Sequence, residues 1–348
     1  MQNGRNFFII IFLGESYSIK MTKKVFIFCN SSFGHSSEKS NERDDRISSA
    51  INSLLNSEYE ELFYKRKLGN SLQAIRLIED VHGENYLSDL DFRFRIKECS
   101  VCNLRHCKVI CPDCSSTNFI KNITDDTYIT NNTCEDVIES TRNIIRACEE
   151  LVIRPYSYLL IRPPGHHCFK TPQGFCIINN AIIGAKYLLR LGYQRVLILD
   201  WDYHHFNGTE QFLNSSIVGV SIHAFGNNIY PGTGSAESST ENCLNIPLIL
   251  DKKRNKLFYS NKRVMKIFIE QVLPFIQSKN PDVIIVSNGL DMHKKDTFVG
   301  LGLSDKFYCE ATNKLKEFRI PLMFILEGGY NSKVISSVSQ KLICILNG

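Results

Sequence analysis

The stretch RVLILDWDYHHFNGTE, residues 195–210, decides how this chain is read. Its first half is an unbroken apolar run of strand length, the pattern of a strand buried on both faces of a parallel sheet. Directly at the end of that run stand Asp200, Asp202, His204 and His205. Uncompensated charge in a core costs several kcal/mol, roughly, even after relaxation, so these groups need a partner. A divalent metal is the first candidate. Asp202 and His204 are two apart and point the same way on extended backbone. The plain alternative is that Asp202 caps a helix and His204 is an ordinary core histidine.

Working outward, runs of the same kind recur: KVFIF (24–28), YLLI (158–161), IVGVSI (217–222), DVIIVS (282–287) and LMFIL (322–326). Between several of them lie helix-like segments, at 134–151, 179–192 and 261–278. Strand and helix in alternation predict an α/β fold with a mainly parallel central sheet, helices on both faces and right-handed crossovers. The segments just past the strands are more telling. RPPGHHCFKTPQGF comes after YLLI, HAFGNNIYPGTG after IVGVSI, NGLDMHKKD after DVIIVS and EGGYN after LMFIL. In a parallel sheet such ends share one edge, where open α/β folds bind ligands.

These ends supply a chemistry. A catalytic zinc commonly takes three protein ligands and keeps one open position, so Asp291 is the natural third ligand beside Asp202 and His204. His166 and His167 offer adjacent imidazoles on a tight turn, suited to general base and then general acid work. Asp200 and Asn207 are candidates to hold the far ring nitrogens and fix the tautomers. Tyr330 comes directly after Gly328 and Gly329, where its phenol can stabilise an oxyanion.

Bulk properties narrow the class. The chain has 348 residues, 43% of them hydrophobic, and a net charge of +5, too mild to argue for nucleic acid. DKKRNK at 251–256 reads first as a solvated loop, with a localisation signal as the weaker alternative. The 13 cysteines are odd in number and scattered, which favours a reducing compartment over a disulfide framework. NFFIIIFLG at 6–14 is too short to span a bilayer, and no other segment suggests a membrane. Met21 opens MTKKVFIFCN, so residues 1–20 read as an extension outside a single catalytic domain over 21–348.

RPPGHH, GFCIINN, DWDYHHFNGT, YPGTG and LEGGYN, in this order, resemble the zinc-dependent histone deacetylase family on the arginase-like fold, closest to its class II (yeast Hda1-type) branch. The resemblance runs from about residue 24 to the end. It implies zinc on Asp202, His204 and Asp291, His167 as the proton shuttle, His166 held by Asp200, and Tyr330 on the acetyl carbonyl. Gly174, Phe175 and Tyr230 resemble the walls of the tunnel for the lysine stem, Asp126 the rim aspartate that holds the substrate backbone, and Arg46 the arginine near the foot of the pocket. Asp200 and Ser221 match the family's potassium site. The implied substrate is acetylated protein, histone tails among them, with a corepressor complex as partner and the nucleus, the cytoplasm or both as location. An acetylpolyamine amidohydrolase and a low-activity acyl-lysine-binding scaffold are the alternatives. Tyr330 favours real activity. Phe298 stands where polyamine-specific relatives carry a glutamate, which favours acetyl-lysine. The family's HHGNG reads HHFNG here, and Phe206 in place of glycine is expected to shift the loop beside Asn207.

One further pattern is not carried from the family. In CSVCNLRHCKVICPDC, residues 99–114, Cys99 and Cys102 form one CxxC pair, Cys111 and Cys114 another. Thiolates at this spacing suit a tetrahedral structural zinc. The alternative is a loop of free thiols. The insertion precedes Asp126, so a pinned loop here would shape the tunnel rim.

Overall fold

The computed structural model describes residues 23–30, 34–65, 68–93, 97–99, 105–106, 119–249 and 259–348. In chain order its elements are β1 (Val25–Cys29), α1 (Asp45–Leu55), α2 (Ser71–His82), α3 (Tyr86–Arg93), β2 (Lys97–Cys99), β3 (Arg105–His106), β4 (Phe119–Asn122), β5 (Tyr128–Thr130), α4 (Thr133–Leu151), β6 (Tyr156–Leu160) and α5 (Asn180–Arg190). The second half adds β7 (Val196–Asp200), α6 (Asn207–Glu210), β8 (Ile217–Phe225), β9 (Cys243–Ile249), α7 (Asn261–Ile267), α8 (Leu273–Lys279), β10 (Val283–Asn288), α9 (Asp305–Lys316), β11 (Leu322–Leu326) and α10 (Ser332–Asn347).

Seven strands make one sheet in the order β1-β6-β11-β10-β7-β8-β9, every neighbouring pair parallel. The unbroken apolar runs have the expected cause. Along β7, Leu197 and Leu199 enter the apolar cluster shared with α1, α9 and α10, while Val196 and Ile198 enter the cluster on the other face with α2, α4 and α5. Both faces are covered, so alternation with polar residues would bury unpaired groups. The five strands whose ends carry the motifs, β6, β11, β10, β7 and β8, are consecutive in the sheet. Adjacency in space, from residues 160 to 330 in sequence, builds the site.

Three features were not visible in the sequence patterns. The edge strand β9 contains Pro247, which an edge tolerates because one side needs no ladder hydrogen bond. The helical run from residue 261 is split by a π-turn, Phe268–Val272, between α7 and α8. Pro274 explains it: proline lacks an N–H and its ring crowds the carbonyl four residues earlier. A small antiparallel sheet, β3-β2-β4-β5, precedes α4. Cys99 ends β2 in that sheet, and Asp126 lies on the turn from β4 to β5. Cys102, Cys111, Cys114 and residues 1–20 lie outside the described residues. Cys29, Cys148, Cys168, Cys176, Cys243, Cys309 and Cys344 are not joined in disulfides. No described helix is long and apolar enough to cross a membrane.

Candidate active site

The end of β7 builds the centre. Past Asp200 the backbone folds over its own acids: the Asp202 N–H donates to Asp200 Oδ1 at 2.8 Å and the His204 N–H to Asp202 Oδ1 at 2.9 Å. Asp291, just beyond β10, accepts the Tyr203 N–H at 2.8 Å. These bonds bring Asp202, His204 and Asp291 together, with ligand atoms all within 4.8 Å of one another. His204 Nδ1 lies 3.2 Å from Asp202 Oδ1 and 3.5 Å from Asp291 Oδ2. Glycine 328 is required here, since a Cβ on it would come within 2.4 Å of both Asp202 Oδ2 and Asp291 Oδ2.

This trio fits a metal ion. Asp291 Oδ2 is buried with no hydrogen-bond partner. Burial and the nearby Asp202 push the Asp291 carboxyl up to about 7. Burial opposes the charge on His204, but the hydrogen bond to Asp202 and the negative charges of Asp202 and Asp291 overcome it and raise the imidazole to about 9. The cage gathers protons, and a cation would release them. One imidazole nitrogen with two carboxylate oxygens is a donor set that suits zinc.

The histidine pair splits in character. His166 Nδ1 donates to Asp200 Oδ2 at 3.0 Å, and His167 Nδ1 to Asn207 Oδ1 at 2.6 Å. Burial disfavours charge on His166, yet Asp202 and Asp200 outweigh it and raise the group to about 10. Burial, His166 and His204 together hold His167 well below the usual imidazole range. With Nδ1–H given to Asn207, the neutral His167 keeps its lone pair on Nε2. The turn itself is gripped from two sides: Gly208 and Thr209 donate backbone N–H groups to the His166 carbonyl at 3.1 and 3.0 Å, and Glu327 Oε2 accepts from the Gly165 N–H at 2.6 Å and the His166 N–H at 3.2 Å.

A narrow cavity of about 140 Å³ leads to this centre. Its lining includes His166, His167, His204 and Tyr330, with Asp126, Gly174, Phe175, Tyr230 and Phe298. Tyr230 and Phe298 are the most open of the walls, at 39% and 44% exposed. Asp126 Oδ1 takes the Gly174 N–H at 3.2 Å, and Thr127 Oγ1 the Phe175 N–H at 3.0 Å. Burial pushes the Tyr330 phenol well above its ordinary range, so it stays an O–H donor.

Arg46 and Phe206 each have defined surroundings. Arg46 does not line the cavity. It lies behind Tyr330, 4.7 Å over its ring, and its donors go to the Gly329 carbonyl, the Glu327 carbonyl and Glu42. Its buried guanidinium holds the turn. With Phe206 in place, Asn207 Oδ1 still reaches His167 Nδ1. The φ of Phe206 is −74°, so no left-handed geometry is needed, and its buried ring lies over Gly219, where a Cβ would come within 2.9 Å of it. The large residue and the missing side chain fit each other. Asp200 and Ser221 face one another across β7 and β8, with Ser221 Oγ at 2.9 Å from His223 Nδ1.

Sequence patterns do not single out Glu327, Glu42, Asp296 or Thr297. Glu327 carries a signal of the same kind as Asp200, an acid at the end of an apolar strand. Glu42 carries none: its buried pairing with Arg162, at 2.9 Å from Nε, joins residues 120 positions apart.

A model of the histone deacetylase domain matches residues 40–346. The chain belongs to the histone deacetylase family. Family membership supports a deacetylase hydrolase with a metal centre. Histone deacetylase 15 of Arabidopsis thaliana is 34% identical over 201 residues, 55% of this chain and 35% of that protein. Histone deacetylase HDA1 of Candida albicans is 33% identical over 244 residues, 64% of this chain and 28% of that protein, consistent with the class II, Hda1-type branch. An uncharacterised protein of Synechocystis is 41% identical over 180 residues, 50% of this chain and 56% of that protein. The chain thus aligns to between about a quarter and just over half of these relatives' lengths. The crystal structure of the HDA15 HD domain superposes with a TM-score of 0.79 at 24% identity, covering 94% of this chain and 89% of that one. That likeness fixes the fold as the arginase-like fold of the family.

Proposed function

We propose that this deacetylase hydrolyses the acetyl amide of N6-acetyl-lysine in proteins, histone tails among them, releasing acetate and lysine. The observation that carries the reading is convergence. A neutral imidazole and a phenol that stays protonated line one narrow cavity with aromatic walls, and a carboxylate–imidazole trio with an unspent oxygen meets that cavity through His204. Zinc held by Asp202, His204 and Asp291 would supply Lewis-acid polarisation of the acetyl carbonyl and a more acidic water. Phe175 and Tyr230 offer apolar faces to the lysine's methylene stem. His167 Nε2 takes the proton of the attacking water. Tyr330 donates its O–H to the oxygen that becomes negative in the tetrahedral intermediate. His167 then passes the water's proton to the departing amine, while His166, kept cationic by Asp200 and Asp202, steadies the negative charge of the intermediate. Potassium beside Asp200 and Ser221, and structural zinc on Cys99, Cys102, Cys111 and Cys114, remain parts of the proposal.

Phe298 supports acetyl-lysine over acetylpolyamines, because an aromatic ring at the mouth gives a second ammonium no carboxylate to pair with. The test is to compare an acetyl-lysine peptide with acetylspermidine, wild type beside Tyr330→Phe. The peptide should be the better substrate, and Tyr330→Phe should lower kcat by about a hundredfold or more. Preference for acetylspermidine would overturn the protein-lysine reading.

A further inference from the structure

Tyr330 sits after two glycines, and Gly329 has a φ of 117°. Such a turn has little stiffness of its own, yet the proposed role needs the phenol held to within a fraction of an ångström. The turn after β10 supplies the hold. Asp296 Oδ2 accepts the Tyr330 N–H at 2.7 Å. Thr297 Oγ1 donates to the Tyr330 carbonyl at 2.7 Å. Both backbone polar groups of Tyr330 are therefore taken by one dipeptide from another loop. Asn331 Nδ2 adds a bond to the Lys295 carbonyl at 2.6 Å.

The clamp is stiff in its own right. Asp296 Oδ1 accepts the Phe298 N–H at 2.9 Å and the Val299 N–H at 3.1 Å, closing its turn. The turn is rooted by His293, whose Nε2 donates to Asp305 Oδ1 at 3.0 Å and whose Nδ1 accepts the Lys295 N–H at 3.2 Å. The opposite tunnel wall is held in the same manner, by Asp126 and Thr127 on Gly174 and Phe175. Thr297 is exposed, so the core does not need its hydroxyl.

We propose that Asp296 and Thr297 are positioning residues that fix the Tyr330 hydroxyl in the tunnel by clamping its backbone. This rests on the deacetylase reading of Tyr330. Thr297→Val keeps the shape and removes the donor. It should lower kcat on an acetyl-lysine peptide by about tenfold, the effect of one lost hydrogen bond, with KM little changed. Thr297→Ser should restore the rate. In a Tyr330→Phe background Thr297→Val should change kcat by less than about twofold, because residues acting through one another are not additive.

A second readout does not depend on turnover. With 3-fluorotyrosine placed at position 330, the wild type should give one sharp ¹⁹F resonance, and Thr297→Val or Asp296→Asn a shifted, broadened or split one. Unchanged spectra, or an equal loss of rate with and without the Tyr330 hydroxyl, would overturn the clamp. A changed spectrum in a protein that deacetylates nothing would uphold the clamp and instead overturn the reading of the reaction.

Discussion

Two metal-capable trios lie in the same buried region, and they differ in what their lone pairs already do. Asp202, His204 and Asp291 meet the cavity through His204, and Asp291 Oδ2 has no hydrogen-bond partner. His166, Cys176 and Glu327 are as tightly grouped. There, however, Glu327 accepts two backbone N–H groups and the Ser287 hydroxyl at 3.3 Å. Cys176 Sγ accepts the His167 N–H and donates to the Gly174 carbonyl. Burial and the nearby Glu327 push its thiol well up, away from the thiolate a metal needs. The first trio keeps an acceptor that a cation could take, and the second is a finished scaffold for the histidine turn. Ligand spacing alone does not separate them; unspent acceptors do.

The largest test of this contrast is metal content. Asp291→Asn should hold one zinc fewer per chain than the wild type, with turnover reduced on the order of a thousandfold. Cys176→Ser should hold as much zinc as the wild type by mass spectrometry of the native protein. Loss of zinc in Cys176→Ser would reverse the roles of the two trios.

If the ground beside the histidine turn is scaffold, damage there should cost stability and leave metal binding alone. Phe206→Gly empties the slot over Gly219 and should destabilise the chain by about 3–5 kcal/mol in urea unfolding. A neutral result would show that the Phe206 ring is not packed as described.

Phe206 also shows where the sequence was legible and where it was not. The runs ending at Asp200, Gly289 and Glu327 were readable because a doubly covered strand must be apolar, so the first acid or glycine marks its end. Asp202, His204 and Asp291 came from the chemistry of those ends. The fit of Phe206 to Gly219 was not readable, since it joins β8 to the loop after β7 through shape alone. Arg46 does lie beside the turn that carries Tyr330, but whether its donors face substrate or protein carbonyls depends on the fold of the Gly328–Gly329 turn. The Asp296 clamp was hidden for the same reason: its partners are backbone atoms, which carry no sequence signal.

A smaller effect sharpens the electrostatic half of the contrast. Asp291 raised to about 7 and His204 raised to about 9 must both lose protons when the cage fills. Zinc affinity should therefore weaken as pH falls, by about tenfold or more between pH 8 and pH 6 in competition with a chelator. A flat profile, corrected for the chelator's own protonation, would contradict a proton-gathering cage.

The most direct measurement is turnover of an acetyl-lysine peptide while zinc is withdrawn stepwise from the purified chain, with bound metal counted at each step and Asp291→Asn as reference. Turnover should be present in the zinc-loaded wild type and should disappear in proportion to the one zinc that Asp291→Asn lacks. Turnover that survives removal of that zinc, or none in a folded and fully loaded wild type, would contradict a metal-centred deacetylase.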